Sequence, residues 1–298
     1  MPSLLPYVIS VIFAAAMLVV PRPALSDVII QDNFDSGYTI IDNHSNMSAL
    51  NTEFVAKGWD GIWWDNSSYL EISSVRSYSG SYSLLHHFDA DQDRATLFSA
   101  SLGATRTLFV RYRLYLESDY WMGWSTTGGE QKWSRYFDTE GHTGFVIASQ
   151  HLYPNGRGYG SGVRMEWELC NHAAGSNYQI FADYDFSANR GKWLLVELLF
   201  VLNTPGQSNG TMMMWVDGVQ INLYNADGNL MDNNGFTLID STDRKFNSMW
   251  FMSLNNGTPN PTQDMWVDDL YISNSNDHES STPSRKLNNV TGNRVSLH

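Results

Sequence analysis

The chain has 298 residues, 42% hydrophobic, 13% aromatic and 16% charged, with 31 acidic against 18 basic side chains and a formal net charge of −13. A single β-sandwich or barrel can use that length, the acid surplus speaks against a nucleic-acid partner because phosphates need Lys and Arg, and so apolar and aromatic a chain is not disordered. One cysteine, Cys170, excludes an internal disulfide and a cysteine-based zinc site.

In chain order, the apolar run Leu4 to Val20 precedes Pro21, Arg22, Pro23 and the small-residue pattern Ala24, Leu25, Ser26. It predicts a secretory signal peptide over 1–26, cleaved after Ser26, with an uncleaved N-terminal anchor as the other reading. Nothing after it could span a membrane. Residues 27–273 read as one domain. Trp59, Trp63 and Trp64 cluster around Gly58 and Gly61, and Trp121 and Trp124 form a second group; indole planes in glycine-flexed loops can stack on sugar rings. His86 and His87 are followed by Asp89, Asp91 and Asp93, whose carboxylates either ligate calcium or form a solvated acidic loop.

Short alternating segments then recur between Gly, Asn, Asp and Pro clusters: Thr107 to Glu117, Gly144 to Gln150, Gly162 to Cys170, Trp193 to Leu202, Thr211 to Val216, Ser248 to Ser253 and Met265 to Ser273. Asp217-Gly218 between two of them is a two-residue hairpin signal. No helical segment competes. The pattern predicts an all-β, antiparallel β-sandwich or jelly roll with one broad sheet face exposed.

Alternation also sorts faces. Arg111, Arg113, Tyr115 and Glu117 oppose Val110, Tyr112, Leu114 and Leu116, and Gly162, Arg164, Glu166 and Glu168 oppose Val163, Met165, Trp167 and Leu169. Such Arg/Glu faces are either solvated surfaces with cross-strand ion pairs or the floor of a charged groove. His151 and His172 fall just beyond strands, where exposed loop histidines are the default and a groove histidine is the sharper reading. Asn274 to His298 lacks apolar periodicity and reads as a disordered tail. Sequons at Asn43, Asn46, Asn66, Asn209, Asn256 and Asn289 would matter in a eukaryotic secretory pathway.

One stretch carries a family likeness. Gly191-Lys192-Trp193-Leu194-Leu195-Val196-Glu197, continued by Asn203-Thr204-Pro205-Gly206, Asn209-Gly210-Thr211 and Trp215-Val216-Asp217-Gly218, resembles the hairpin of jelly-roll polysaccharide lyases, the alginate and glucuronan lyases with a concanavalin A-like fold. Asp32 to Gly37, Ser79 to Leu84 and Trp266 to Ser273 resemble that group's opening, following and closing strands. The resemblance implies a secreted, monomeric lyase cleaving a uronate-containing polysaccharide by β-elimination, with no required cofactor. A structural calcium joining Asp35 to Asp268 or Asp269 is a further option. The alternative is a non-catalytic carbohydrate-binding protein of the same fold.

Such a lyase neutralises a uronate carboxylate, removes the C5 proton and protonates the departing O4. By the resemblance, Arg164 takes the carboxylate, with Gly162 where the family has a serine. Lys132 or His142 stands at the base position, and Tyr178 at the proton donor. Arg111, Arg113, Arg135, Gln150, Trp63 and Trp121 complete the expected substrate contacts.

Overall fold

The computed structural model describes residues 28–64, 69–89, 96–120, 130–139, 146–154, 163–169, 178–225, 227–251, 255–256 and 262–278. The expected signal-peptide segment, most of the C-terminal segment, Asp91, Asp93, Trp121, Trp124, His142, Cys170 and His172 lie outside the described residues, as do the side chains of Trp63, Trp64 and Tyr178.

The strands are β1 (Val28–Asp32), β2 (Gly61–Trp64), β3 (Tyr69–Ser73), β4 (Ser83–Phe88), β5 (Thr96–Thr105), β6 (Thr107–Leu116), β7 (Glu130–Phe137), β8 (Val146–Pro154) and β9 (Val163–Leu169). They continue with β10 (Tyr178–Ala182), β11 (Trp193–Val201), β12 (Gly210–Val216), β13 (Val219–Gln220), β14 (Leu223–Asn225), β15 (Asn234–Phe236), β16 (Phe246–Phe251), β17 (Asn255–Asn256) and β18 (Gln263–Ser273). Two antiparallel sheets result. The first runs β13-β12-β11-β6-β18-β4-β3, with β1 on β18 and β15 on β12; the second runs β14-β10-β9-β8-β7-β16-β5-β2, with β17 on β7. The chain is thus an all-β sandwich.

The expected period of two is what closes the core. Val110, Tyr112, Leu114 and Leu116 of β6 face Val163, Met165, Trp167 and Leu169 of β9 within one continuous apolar cluster, each fully buried side chain worth about 1.5–3 kcal/mol. The Asp217-Gly218 turn has both residues at positive φ, 51° and 78°, the geometry of a type I′ hairpin, and the Asp217 carboxylate accepts the Leu195 amide at 2.8 Å.

Sequence reading missed one helix, α1 (Met47–Ala56). It starts where the Asn46 side chain accepts the Ala49 amide, an N-cap, and it buries Met47, Leu50 and Phe54 on one face. A second correction concerns Trp59: it is core, 2% exposed, with Nε1 donating to Asp32 Oδ2 at 3.3 Å. It is therefore no sugar platform.

The loop between β3 and β4 is pinned by carboxylates. Asp268 accepts the amides of Tyr78 and Ser79 at 2.7 and 3.0 Å, and Asp35 accepts those of Ser81 and Tyr82 at 2.6 and 3.0 Å. Gly80 is required there, because a Cβ would overlap the Asp35 carboxylate. Burial pushes the Asp268 carboxyl up to about 7 against the lowering pull of those two amides.

Residues 274–278, expected to be tail, lie along the outer face of the first sheet. The His278 ring stacks on Trp215 with centroids 3.9 Å apart, and its Nδ1 lies 3.2 Å from Glu197 Oε2.

Candidate functional site

The outer face of the second sheet gathers polar side chains because alternation in β9, β8 and β7 leaves them no interior place. In β9, Val163, Met165, Trp167 and Leu169 enter the core, so Arg164, Glu166 and Glu168 point outward. Register carries this to β8: Ser149 pairs Glu168 and His151 pairs Glu166, while Gln150 pairs the core residue Trp167. In β7 a register shift falls between Lys132, opposite His151, and Ser134, opposite Gln150. Trp133 is the extra residue of a bulge, which puts Lys132 back on the outer face beside His151.

Two adjoining rungs form the floor. One carries Lys132, His151 and Glu166; the other carries Arg135, Ser149, Glu168 and Gln179. His151 Nε2 lies 2.8 Å from Ser149 Oγ and 3.7 Å from Glu168 Oε2, and Arg135 Nε donates to Ser149 Oγ at 3.3 Å. The Arg135 guanidinium sits 5.9 Å from the Trp250 ring. Arg164 stands two residues along β9 from Glu166, its Nη1 3.3 Å from Asp183 Oδ1 and its Nε buried without a hydrogen-bond partner. Asp183 is half exposed, and such a pair contributes at most about 1 kcal/mol, so an incoming carboxylate can displace it.

Lys132 and Arg164 thus share a face on strands separated only by β8, with Cα atoms about 12 Å apart by strand geometry. A base and a carboxylate clamp on one face at that span can address neighbouring atoms of a bound sugar. Tyr178 begins β10 opposite Leu169, and Trp63 lies in β2, at the far edge of the same sheet; their side chains, like all of His142 and Trp121, lie outside the described residues. His151 was not among the leading candidates. Its signal was present: β8 runs past Gln150 to Pro154, which makes His151 a strand residue in phase with Ser149 instead of a loop histidine.

Three expected substrate contacts do not join this floor. Gln150 is fully buried between the sheets, bonded to Ser134 Oγ at 2.7 Å and to the Met165 sulfur. Arg111 and Arg113 point outward from β6, in the first sheet, on the opposite side of the sandwich. Sheets pack about 10 Å apart, and neither arginine reaches across that thickness and its core.

Among the described residues no group of three or more His, Cys, Asp or Glu could hold a metal ion. Asp35 and Asp268, considered for calcium, hold backbone amides, and Asp269 accepts Ser79 Oγ–H at 2.8 Å. Asp89 contacts His87 Nε2 at 3.1 Å, with Asp264 on Nδ1 at 2.6 Å. Burial opposes charge on His87, but the hydrogen bond to Asp264 and the two carboxylates outweigh it and raise its pKa.

No sequence-family model matches the chain, and no curated protein matches it by sequence. Solved structures do. Alginate lyase Aly36B aligns with TM-score 0.52 and 13% identity over 82% of this chain and 95% of its own. A variant of that enzyme in complex with an alginate trisaccharide aligns with TM-score 0.52 and 13% identity over 82% and 96%. An endo-β-1,4-glucuronan lyase from the fungus Trichoderma reesei aligns with TM-score 0.42 and 13% identity over 73% and 92%. At the identity of the first two, the likeness shows a shared lyase-like fold.

Proposed function

We propose that the chain is a secreted polysaccharide lyase acting by β-elimination on a uronate-containing polysaccharide laid across the outer face of the second sheet. The observation that carries this is the convergence of Lys132, His151 and Arg164 on one sheet face, in a fold shared with an enzyme whose variant holds an alginate trisaccharide.

Arg164 exchanges Asp183 for the substrate carboxylate and neutralises it, which makes the C5 proton more acidic. Lys132, partly exposed beside the buried His151, removes that proton, and a general acid protonates O4 as the C4–O4 bond breaks. Tyr178, expected in that role, pairs in register with core-facing Leu169 instead of a residue of the floor. The product carries a C4–C5 double bond. Ser149 and Glu168 orient the His151 ring, and no step needs a cofactor. Export with loss of residues 1–26 and action as a monomer belong to the same proposal.

The test is incubation of purified protein with alginate, glucuronan and polygalacturonate, following the ultraviolet absorbance of the unsaturated uronide. Release from one of them, lost in Arg164→Gln, supports the proposal. No release from any, with retention on one in affinity gels, overturns it in favour of binding without catalysis.

A further inference from the structure

The outer face of the first sheet poses a question the lyase reading does not answer. Three arginines lie there, each laid over an aromatic ring. Arg113 sits 3.9 Å from the Tyr78 ring centre, Arg111 4.8 Å from Tyr271, and Arg76 4.5 Å from Tyr115 and 4.9 Å from Trp266. Among the described residues none of the three guanidinium groups makes a side-chain hydrogen bond or ion pair, and Arg76 Nε is buried without a hydrogen-bond partner. Three other described arginines pair with carboxylates, Arg106 with Asp243, Arg164 with Asp183 and Arg244 with Asp138 and Asp240, while Arg190 donates to backbone carbonyls and Arg135 to Ser149 Oγ.

Glu117 lies close enough to Arg76 to feel its charge, but the carboxylates beside Arg111 and Arg113 are engaged elsewhere, Asp277 by the hydroxyls of Tyr271, Ser273 and Ser275. Glu197 is held by His278 and Asp264 by His87, while Asp268 accepts the amides of Tyr78 and Ser79. Cationic capacity is therefore left over on this face. Rings accompany it: Trp193 packs edge-on against Tyr115 at 5.5 Å and lies 6.1 Å from Tyr78, which is 46% exposed. This row runs across β18, β6 and β11.

We propose that Tyr78, Trp193, Arg111 and Arg113 form a second binding surface, on the opposite side of the sandwich from the groove, for an anionic polysaccharide. Sugar CH faces stack on the exposed rings, and guanidinium forks take carboxylate or sulfate groups in paired hydrogen bonds. Stacking on a ring holds each fork flat and ready, so little freedom is lost on binding. Nucleic acid fits poorly, because a net charge of −13 repels a dense polyanion. Such a surface anchors the protein to its polymer while the groove engages a separate segment, raising the effective concentration of the second contact.

The experiment is affinity gel electrophoresis of the full chain on immobilised alginate and on a neutral β-glucan, at low and high salt. It compares wild type, Arg111→Gln/Arg113→Gln, Tyr78→Ala and Arg164→Gln. The readout is retention, which needs no turnover, so failure of the lyase proposal leaves it interpretable. Expected is a fall of about ten-fold in retention on alginate for the double arginine variant, a smaller fall for Tyr78→Ala, salt sensitivity in wild type, and residual retention in Arg164→Gln. Tyr78 is an exposed loop residue, so its variant remains informative if the double variant misfolds. Wild-type retention in both first-sheet variants, complete loss in Arg164→Gln alone, or equal losses on the neutral glucan overturns the proposal. So does a change of oligomeric state in sedimentation of those variants, which assigns the face to a second copy of the chain.

Discussion

The two outer faces of the sandwich begin from the same sequence device, charged residues placed every second residue on a strand, Arg111 and Arg113 on β6 and Arg164, Glu166 and Glu168 on β9, and end in different chemistry. On the second sheet, Arg164 and Arg135 lie among Asp183, Ser149 and Glu168, and the cations are held by oxygen. On the first, Arg111 and Arg113 rest on tyrosine rings and their carboxylate neighbours are engaged elsewhere. An arginine held by a weak ion pair can exchange its partner for a substrate carboxylate at little cost. An arginine held by a ring keeps its hydrogen-bonding edge available while its position is set. The first arrangement suits a reaction, the second an attachment.

The sharpest way to break this contrast is at Arg164. Its replacement by alanine should lower the rate of unsaturated uronide release by about 10²–10³-fold, with the melting temperature within a few degrees of wild type, since a half-exposed pair stabilises little. A comparable loss of stability would make Arg164 a structural residue and erase the distinction.

The next largest effect falls on the first sheet. Asp268→Ala leaves the amides of Tyr78 and Ser79 without their acceptor and should destabilise the fold by about 2 kcal/mol or more, read from denaturant midpoints. Asp268→Asn isolates the proton. Because the folded carboxyl is raised to about 7, the folded state holds a proton that the unfolded chain releases near pH 4. Its stabilising contribution is complete below about pH 4 and is lost as pH rises through about 7. Wild type should therefore lose stability across that window relative to the asparagine variant, and parallel profiles would show that the carboxyl is ionised throughout.

The smallest effect belongs to His87, whose folded pKa is raised by Asp264 and Asp89 against its burial. Its contribution is present below about pH 6.5 and lost as pH climbs through the folded value. His87→Gln should flatten that segment of the stability profile by less than about 1 kcal/mol.

Much of the fold was legible because alternation is local. The β6 and β9 faces and the Asp217-Gly218 hairpin depend on residues adjacent in sequence, and the sandwich follows from them. Alternation states which side chains share a face of one strand, but not which sheet that strand joins. Arg111 and Arg113 were accordingly grouped with Lys132, Arg135 and Arg164, although long-range pairing puts β6 in the other sheet. The bulge at Trp133 shifts the phase of β7 by one residue, so no regular count along that strand yields the face of Lys132. His151 falls beyond the strand as read from the sequence, which ends at Gln150, whereas β8 runs on to Pro154. Gln150, a polar residue expected to contact substrate, points into the core, where Ser134 and the Met165 sulfur satisfy it. Helix α1 was missed because three buried residues and an asparagine cap are a thin signal beside a chain full of strands.

The order of the first sheet has a consequence in time. Its last-made strand, β18, is also a central one, lying between β6 and β4, and it takes β1 as well, so that Val28 pairs with Ser273. Until that strand leaves the ribosome, β4 and β6 each lack the neighbour that lies between them, and β1 has nothing to join. At roughly 5–20 residues per second, synthesis of such a chain lasts on the order of 15–60 s, and for nearly all of that interval the sheet is two fragments waiting for their joint. A stop codon at position 263 would therefore remove the element that makes one domain of the halves.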